Sequence, residues 1–252
     1  MSATANIKTI AKRELTEYFS SPLAYVVIVI FLLLIGFFTF SVTGKFFERG
    51  QASLEMPFFV WHPWLYLFLV PAVGMRLWAE ERRVGTLELL LTMPITAAQA
   101  IIGKFLASWL FLGAALALTF PVVITVNYLG SPDNGVILCG YIGSWLMGGA
   151  YLAISCITSA ITRNQVISFI LSFSVCLLLV LCGWPPVTDF LTRWDQSWWQ
   201  SVVSIVTTMS VMTHFDGFMK GVLDSRDVIY FLSIIVFSLF TTGVIIRSHR
   251  AG

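Results

Sequence analysis

Residues Pro22–Gly44 read PLAYVVIVIFLLLIGFFTFSVTG. They hold no Asp, Glu, Lys or Arg, and the uncharged run reaches back to Tyr18. A helix crossing ~30 Å of hydrocarbon needs about 20 apolar residues at ~1.5 Å each, so this stretch can span. Ser21-Pro22 supplies an N-cap and a proline at the first helical position, which starts it as a helix. The rest of the 252-residue chain has the same character: 58% hydrophobic, 11% charged, with a mean hydropathy of +0.86. A soluble domain carries roughly 25% charged residues, so this inventory cannot cover a water-exposed surface. Soluble enzymes, nucleic-acid modules and disordered chains are excluded. A net charge of +2 is too small to imply an acidic partner.

Working outward, six further stretches lack charge: Met56–Met75, Phe105–Pro132, Asn134–Thr162, Asn164–Thr188, Gln196–Phe215 and Val228–Ile246. Gln196–Phe215 differs from the others, because half of it is Gln, Ser, Thr or His, and Trp194, Trp198 and Trp199 crowd its start like an interfacial belt. It reads as a re-entrant or surface-lying piece, which leaves six spans. Both tails then share one side with Lys8, Lys12, Arg13, Arg76, Arg82, Arg83, Lys104, Arg163, Arg247 and Arg250. The other side holds Lys45, Arg49, Arg193, Lys220 and Arg226. Ten against five is the positive-inside bias and puts both termini in the cytoplasm; a seventh span would weaken it to eight against seven.

The expected fold is therefore all-α, a polytopic integral membrane protein built as a single transmembrane domain over 1–252. An amphipathic interface helix occupies 5–20. Spans occupy 22–44, 57–78, 101–128, 135–162, 165–184 and 228–247, with a cytoplasmic loop at 80–100 and an external re-entrant segment at 186–226. The N-terminus lacks a signal-peptide cleavage site, and its first apolar run is a full span. Cys139, Cys156, Cys176 and Cys182 form no Cys-x-x-Cys pair and read as small buried residues rather than a disulfide framework.

In the first helix Ile7, Ile10, Ala11, Leu15 and Tyr18 share one face, with Thr9, Lys12, Arg13, Thr16 and Glu17 on the other. Glu14 breaks the pattern by projecting into the apolar arc; it either snorkels at the arc's edge or pairs with a cytoplasmic arginine such as Arg82. In the loop, Val84, Leu87, Leu91 and Ile95 fall near one helical face, with Thr86 as a cap and Pro94 as a stop. Thr96-Ala97-Ala98-Gln99 is a capping box that starts the next helix, with Lys104 snorkelling as it enters the third span. A loop of this length that holds its own helix is expected to bind something, since its Leu-rich face would otherwise stay exposed.

The run Trp78-Ala79-Glu80-Glu81-Arg82-Arg83-Val84-Gly85-Thr86-Leu87-Glu88-Leu89-Leu90-Leu91-Thr92-Met93-Pro94, followed by Gly103-Lys104, resembles the loop after span two in type-2 permeases of ATP-binding-cassette (ABC) transporters. Lys12-Arg13-Glu14-Leu15 followed by Ser21-Pro22 resembles their interface helix. The stretch from His214 to Val228 is similar to the gliding-motility-associated branch. The resemblance implies a homodimeric permease in the cell inner membrane that binds two copies of a cytoplasmic ABC ATPase. ATP and Mg would sit on that partner and none on this chain. The post-span-two loop would carry the coupling helix, with Glu80, Glu81, Arg82, Gly85, Thr86 and Glu88 at the ATPase contact and Arg13 and Glu14 on the interface helix. It also implies external re-entrant helices before the last span.

No Gly-x-x-x-x-Gly-Lys-Ser/Thr loop, His-Glu-x-x-His motif or Gly-x-Ser-x-Gly elbow occurs. No acidic residue or histidine lies within spans three to five. An enzyme working within the bilayer would need ionisable groups at depth, so this chain is not read as one. Met209, Met212, His214 and Met219, with His62, are donors suited to copper(I), but they match no defined spacing and no metal site is assigned. Gly140, Ser144 and Gly148 form a small-residue packing face. Gln165, Ser168 and Ser172 share a stripe that either lines a translocation path or is satisfied by interhelical hydrogen bonds. Asp224 and Asp227 look like a cap at the start of span six.

The expected function is that of a permease subunit exporting or extracting an amphiphile, a lipid or lipid-linked glycan, because the spans are greasy and 21 residues are Phe. The alternatives are ATP-driven mechanical transmission to an external or membrane-anchored accessory protein, a copper-related exporter, and a passive anchor. Membrane lipid is a partner in every case; nucleic acid in none.

Overall fold

The computed structural model describes residues 3–41, 46, 53–85, 95–192 and 197–248. Among them the chain is helical throughout, with no strand. Its elements are α1 (Ala3–Ser20), α2 (Pro22–Phe40), a 3-10 turn (Phe59–Trp61), α3 (His62–Gly74), α4 (Arg76–Val84), α5 (Ala97–Ala117), α6 (Phe120–Leu129), α7 (Asn134–Ile161), α8 (Gln165–Leu181), α9 (Pro185–Thr192), α10 (Ser197–Thr208), α11 (Val211–Met219) and α12 (Ser225–Ser248).

Four passes are long and apolar enough to cross a membrane unaided: α2, α5 with α6, α7, and α12. Helices α8 and α9, bent by 62° at the join, would make a fifth if the two form one span. The expected second span is split. Its apolar half, α3, has 13 residues, or about 20 Å of helix, short of ~30 Å of hydrocarbon. The polar half, α4, carries Arg76, Glu80, Glu81, Arg82 and Arg83. In the segment expected to be external, 186–226, the described residues include the short helices α9, α10 and α11.

Helix α7 is the core. It is 72% buried over its most apolar window and packs against α3, α4, α5, α8, α11 and α12. Its small residues explain why. Rings of Phe59, Phe218, Tyr66 and Trp109 sit where Gly140, Gly143, Gly148 and Gly149 lack a Cβ. The small-residue face thus receives aromatic knobs from neighbouring helices. Trp109 and Trp145 stack at 4.3 Å across α5 and α7, and each indole N–H donates to the other's carbonyl, at 2.9 and 3.3 Å.

The passes alternate between two ends. At one, Asn6 meets Gln99 (3.3 Å), Arg82 donates to the Ala160 carbonyl, and Gly243 packs on Ile101. At the other, Trp64 meets Trp184 at 5.5 Å, Asn127 and Asn134 exchange amide hydrogen bonds, and Tyr230 donates to the Met209 carbonyl. Nine of the ten basic residues assigned to one side occupy elements gathered at the first end; Arg250 lies outside the described residues.

Local signals hold in most places. Thr96 and Gln99 form the capping box with both bonds present (3.3 and 3.2 Å). Ser21 sits extended at the N-cap with Pro22 behind it, although its hydroxyl makes no capping bond. Asp224 accepts the Arg226 N–H (2.9 Å) at the start of α12. Asp227 does not join it, and turns to His214 instead (2.7 Å). All four cysteines are free.

Candidate functional site

Helix α1 runs parallel to the first half of α5. Moving along both helices in the same direction, Asn6 meets Gln99, Ile10 meets Gly103, Glu14 meets Lys104, and Tyr18 meets Ser108 (3.0 Å) and stacks on Phe111 (5.1 Å). The close approach requires Gly103, where a Cβ would stand 2.8 Å from Ile10. The amphipathic reading of α1 matches: Ile7, Ile10, Ala11, Leu15 and Tyr18 are buried or half-buried, and Thr9, Lys12, Arg13, Thr16 and Glu17 are exposed.

That approach brings three charges together out of water. Lys104 Nζ lies 3.0 Å from Glu14 Oε1 and 2.9 Å from Glu81 Oε1. Lys104 is 4% exposed and Glu14 7%. The ammonium also stands 5.6 Å from the ring centre of Trp78, within cation–π range. Arg13, on the wet side, donates to Glu14 Oε1 at 2.8 Å. Glu14 therefore neither snorkels nor meets Arg82. A buried carboxylate persists only with an opposite charge in contact, and Lys104 is the one that the helix packing delivers. Arg82 instead reaches the Ala160 carbonyl, one of the orphan acceptors at the C-terminal end of α7. Likewise Lys104 does not snorkel; it is the hub.

Burial pushes the Glu14 carboxyl up, but Lys104 and then Arg13 more than offset this and hold it below its ordinary value. The hydrogen bond to Glu14 raises Arg13. Burial, with Arg163 nearby, lowers Arg82. Around the cluster lies a cavity of about 130 Å³ lined by Arg13, Glu14, Glu17, Tyr18, Ser21, Arg76, Leu77, Glu80, Glu81 and Lys104.

The residues read as an ATPase contact divide. Glu80 pairs with Arg76 one turn back (2.9 Å), Glu81 faces inward to Lys104, and Arg82 is taken by α7. These three belong to the helix α4, not to a loop. Gly85 ends α4 in the left-handed region at φ +79°, the C-terminal stop that glycine supplies. Thr86 and Glu88, with the expected coupling helix as far as Pro94, lie outside the described residues. Arg83, and Val84, which the sequence placed only on the loop's apolar face, were not assigned to that contact but are exposed on the last turn of α4; the apolar Val84 is 63% exposed.

Of the stripe on α8, Gln165 is half-buried, while Ser168 and Ser172 are buried against α7. The Thr158 hydroxyl contacts both serine hydroxyls, and Ser172 donates to the Ser168 carbonyl (2.9 Å). His214 has both ring nitrogens engaged, by Asp227 and by the Thr208 carbonyl (2.9 Å). His62 is buried among Phe31, Phe58, Phe59 and Tyr66. Among the described residues no group of three or more His, Cys, Asp or Glu could hold a metal ion.

Two determinants escaped sequence reading, Lys104 as a partner and Ser159 on α7. The first had a signal: Glu14 in an apolar arc and Lys104 inside an apolar run are opposite charges, each out of pattern, which could have been paired. Ser159 had none, because a serine in a small-residue helix looks like packing.

Comparison with curated proteins returns no match. The family model for ABC-2 family transporter protein matches residues 8–221, from within α1 to just past α11. The chain belongs to that family, as a membrane-embedded, multi-pass transmembrane permease subunit of an ABC transporter rather than its ATPase.

Proposed function

We propose that the chain crosses the cell inner membrane six times with both termini in the cytoplasm. Two copies form a permease driven by two cytoplasmic ABC ATPase subunits, which hold the ATP and Mg. The observation that carries this is the gathering of α1, α4 and α5 around Lys104 at the end where the basic residues collect. An ATPase pressing on Arg83, Val84 and the 86–94 segment would act on α4. The Glu81–Lys104–Glu14 contacts would pass that displacement to span three and the interface helix together. Moving a two-state pore from 1:99 to 99:1 takes about 5.5 kcal/mol, more than the about 0–1 kcal/mol of an exposed ion pair. A buried cluster that moves as one body meets that demand better.

The cargo is an amphiphile, a lipid or lipid-linked glycan. Supporting this, α2, α8 and α12 expose rows of Leu, Val, Ile and Phe, so a chamber between two copies would have greasy walls. The likeness of 214–228 to the gliding-motility branch favours a second outcome, transmission of force to an external partner through α9–α11 without net transport.

The test is affinity purification of the tagged protein in mild detergent. The wild type should carry an ABC ATPase with measurable ATP hydrolysis. Arg83→Glu combined with Val84→Asp should lose it at unchanged melting temperature. Retention of the ATPase by that variant would overturn the docking assignment. Stimulation of hydrolysis by small hydrophilic solutes but by no lipid would overturn the cargo.

A further inference from the structure

Between α3 and α4 the chain keeps helical dihedrals, with Met75 at φ −58° and ψ −26°, yet the hydrogen-bond ladder is interrupted. In an unbroken helix the N–H of Trp78 would donate to the carbonyl of residue 74 and that of Ala79 to residue 75. Here both donate to the Ser159 hydroxyl oxygen on α7, at 2.9 and 3.0 Å, and Ser159 donates its own proton to the Met75 carbonyl at 3.0 Å. A hydroxyl has one donor and two acceptor sites, and Ser159 uses all three on the backbone of span two. It is inserted between Met75 O and Ala79 N as a water would be, one of the known causes of a helix kink. Space for it comes from the close approach of α3 to α7 at Gly74, where a Cβ would stand 2.3 Å from that of Ser155. No water is on hand inside a bundle, so every backbone group freed there needs a partner from the protein.

We infer that the Met75 break is a hinge with two hydrogen-bonded states, and that Ser159 is the positioning residue selecting between them. In the state seen, the hydroxyl is inserted and α4 is held on α7, with Arg82 on the Ala160 carbonyl as a second attachment. In the other, Ser159 withdraws and Ala79 N and Trp78 N close onto the carbonyls of 75 and 74. The Trp78 and Ala79 N–H groups and the Met75 carbonyl have partners in both, so neither state is forbidden on their account, and α4 swings with the charge cluster at its far end. This deepens the proposed coupling role of α4, but its test needs no ATPase, so it can fail while the docking assignment stands.

The experiment places spin labels at Val84 and Val166, both more than 60% exposed, in protein reconstituted in nanodiscs, and measures their distance distribution. Ser159→Ala removes the inserted hydroxyl and should move the main population by several ångströms at a melting temperature within a few degrees of wild type. Ser159→Thr, which keeps the hydroxyl, should restore the wild-type distribution; a residue acting only through its volume would not give this pairing. If Ser159→Ala fails to fold, Ser159→Cys, with a weak donor of similar size, should show the same displaced population. Superimposable distributions for the wild type and the folded Ala or Cys variant would overturn the hinge, as would a Thr variant displaced like Ala.

Discussion

Lys104 Nζ on α5 lies 3.0 Å from Glu14 Oε1 on α1, and both side chains are buried. This contact is bought by packing, since Gly103 must be small enough for Ile10 to enter before the charges can meet. Lys104→Met should remove the buried cation between the Glu14 and Glu81 carboxylates, leaving the exposed Arg13 on Glu14. Breaking a buried pair by removing one partner costs ~3–5 kcal/mol, whereas neutral replacement of the set costs far less. Thermal melting in detergent should therefore show a large drop for Lys104→Met. Most of it should return when Glu14→Gln and Glu81→Gln are added.

The pH response of the same contact follows from its sign. Glu14 has a folded-state pKa below its ordinary value of 4.5. Its contribution to stability is complete above that value and is lost as pH falls through the lowered one. Acidification from pH 5 downward should detach α1, seen as protease cutting between α1 and α2. Glu14→Gln should flatten this acid limb; an unaltered limb would assign it to other carboxylates.

The paired indoles of Trp109 and Trp145 have no room to spare. A Cβ at Gly149 would stand 2.7 Å from Trp109 Nε1. Gly149→Val should force the stack apart at a cost of about 1–3 kcal/mol, as overpacking does. Near-ultraviolet circular dichroism should lose the exciton signal of the stacked pair.

Gly85 closes α4 at φ +79°, and among the described residues nothing lies within 4 Å of a Cβ placed there, so backbone conformation is what these residues set against a side chain. Gly85→Ala should cost about 1–2 kcal/mol and Gly85→Asn less, because Asn tolerates the left-handed region. The check is hydrogen exchange of the last turn of α4, faster in the Ala variant than in the Asn variant.

His214 joins three elements: α11, Asp227 on α12, and the Thr208 carbonyl of α10, with Tyr230 stacked at 3.9 Å. His214→Phe keeps the stacking and removes both hydrogen bonds, a loss of about 1–3 kcal/mol. Limited proteolysis should then cut faster between α10 and α12.

Much of the layout was legible because lipid imposes a simple rule. Uncharged runs of sufficient length coincide with α2, α5 with α6, α7, α8 and α12, and polarity separated Gln196–Phe215, which covers α10 and the first half of α11, from them. Helix continues beyond the expected end of the second span. Charges at Glu80–Arg83 look like a loop beside an apolar run, yet the helix continues to Gly85 because those charges find Arg76, Lys104 and the end of α7 as partners.

By itself the sequence determined which stretches are uncharged and long enough to span, that helices start at Pro22 and just after Thr96, and which face of α1 turns inward. Those properties depend on residues within a few turns of one another. Only the tertiary structure decided that Glu14 belongs to Lys104, 90 residues away, and that Ser159 completes the backbone of Trp78 and Ala79. Both follow from how closely helices approach at Gly103 and Gly74, a distance that no local pattern encodes.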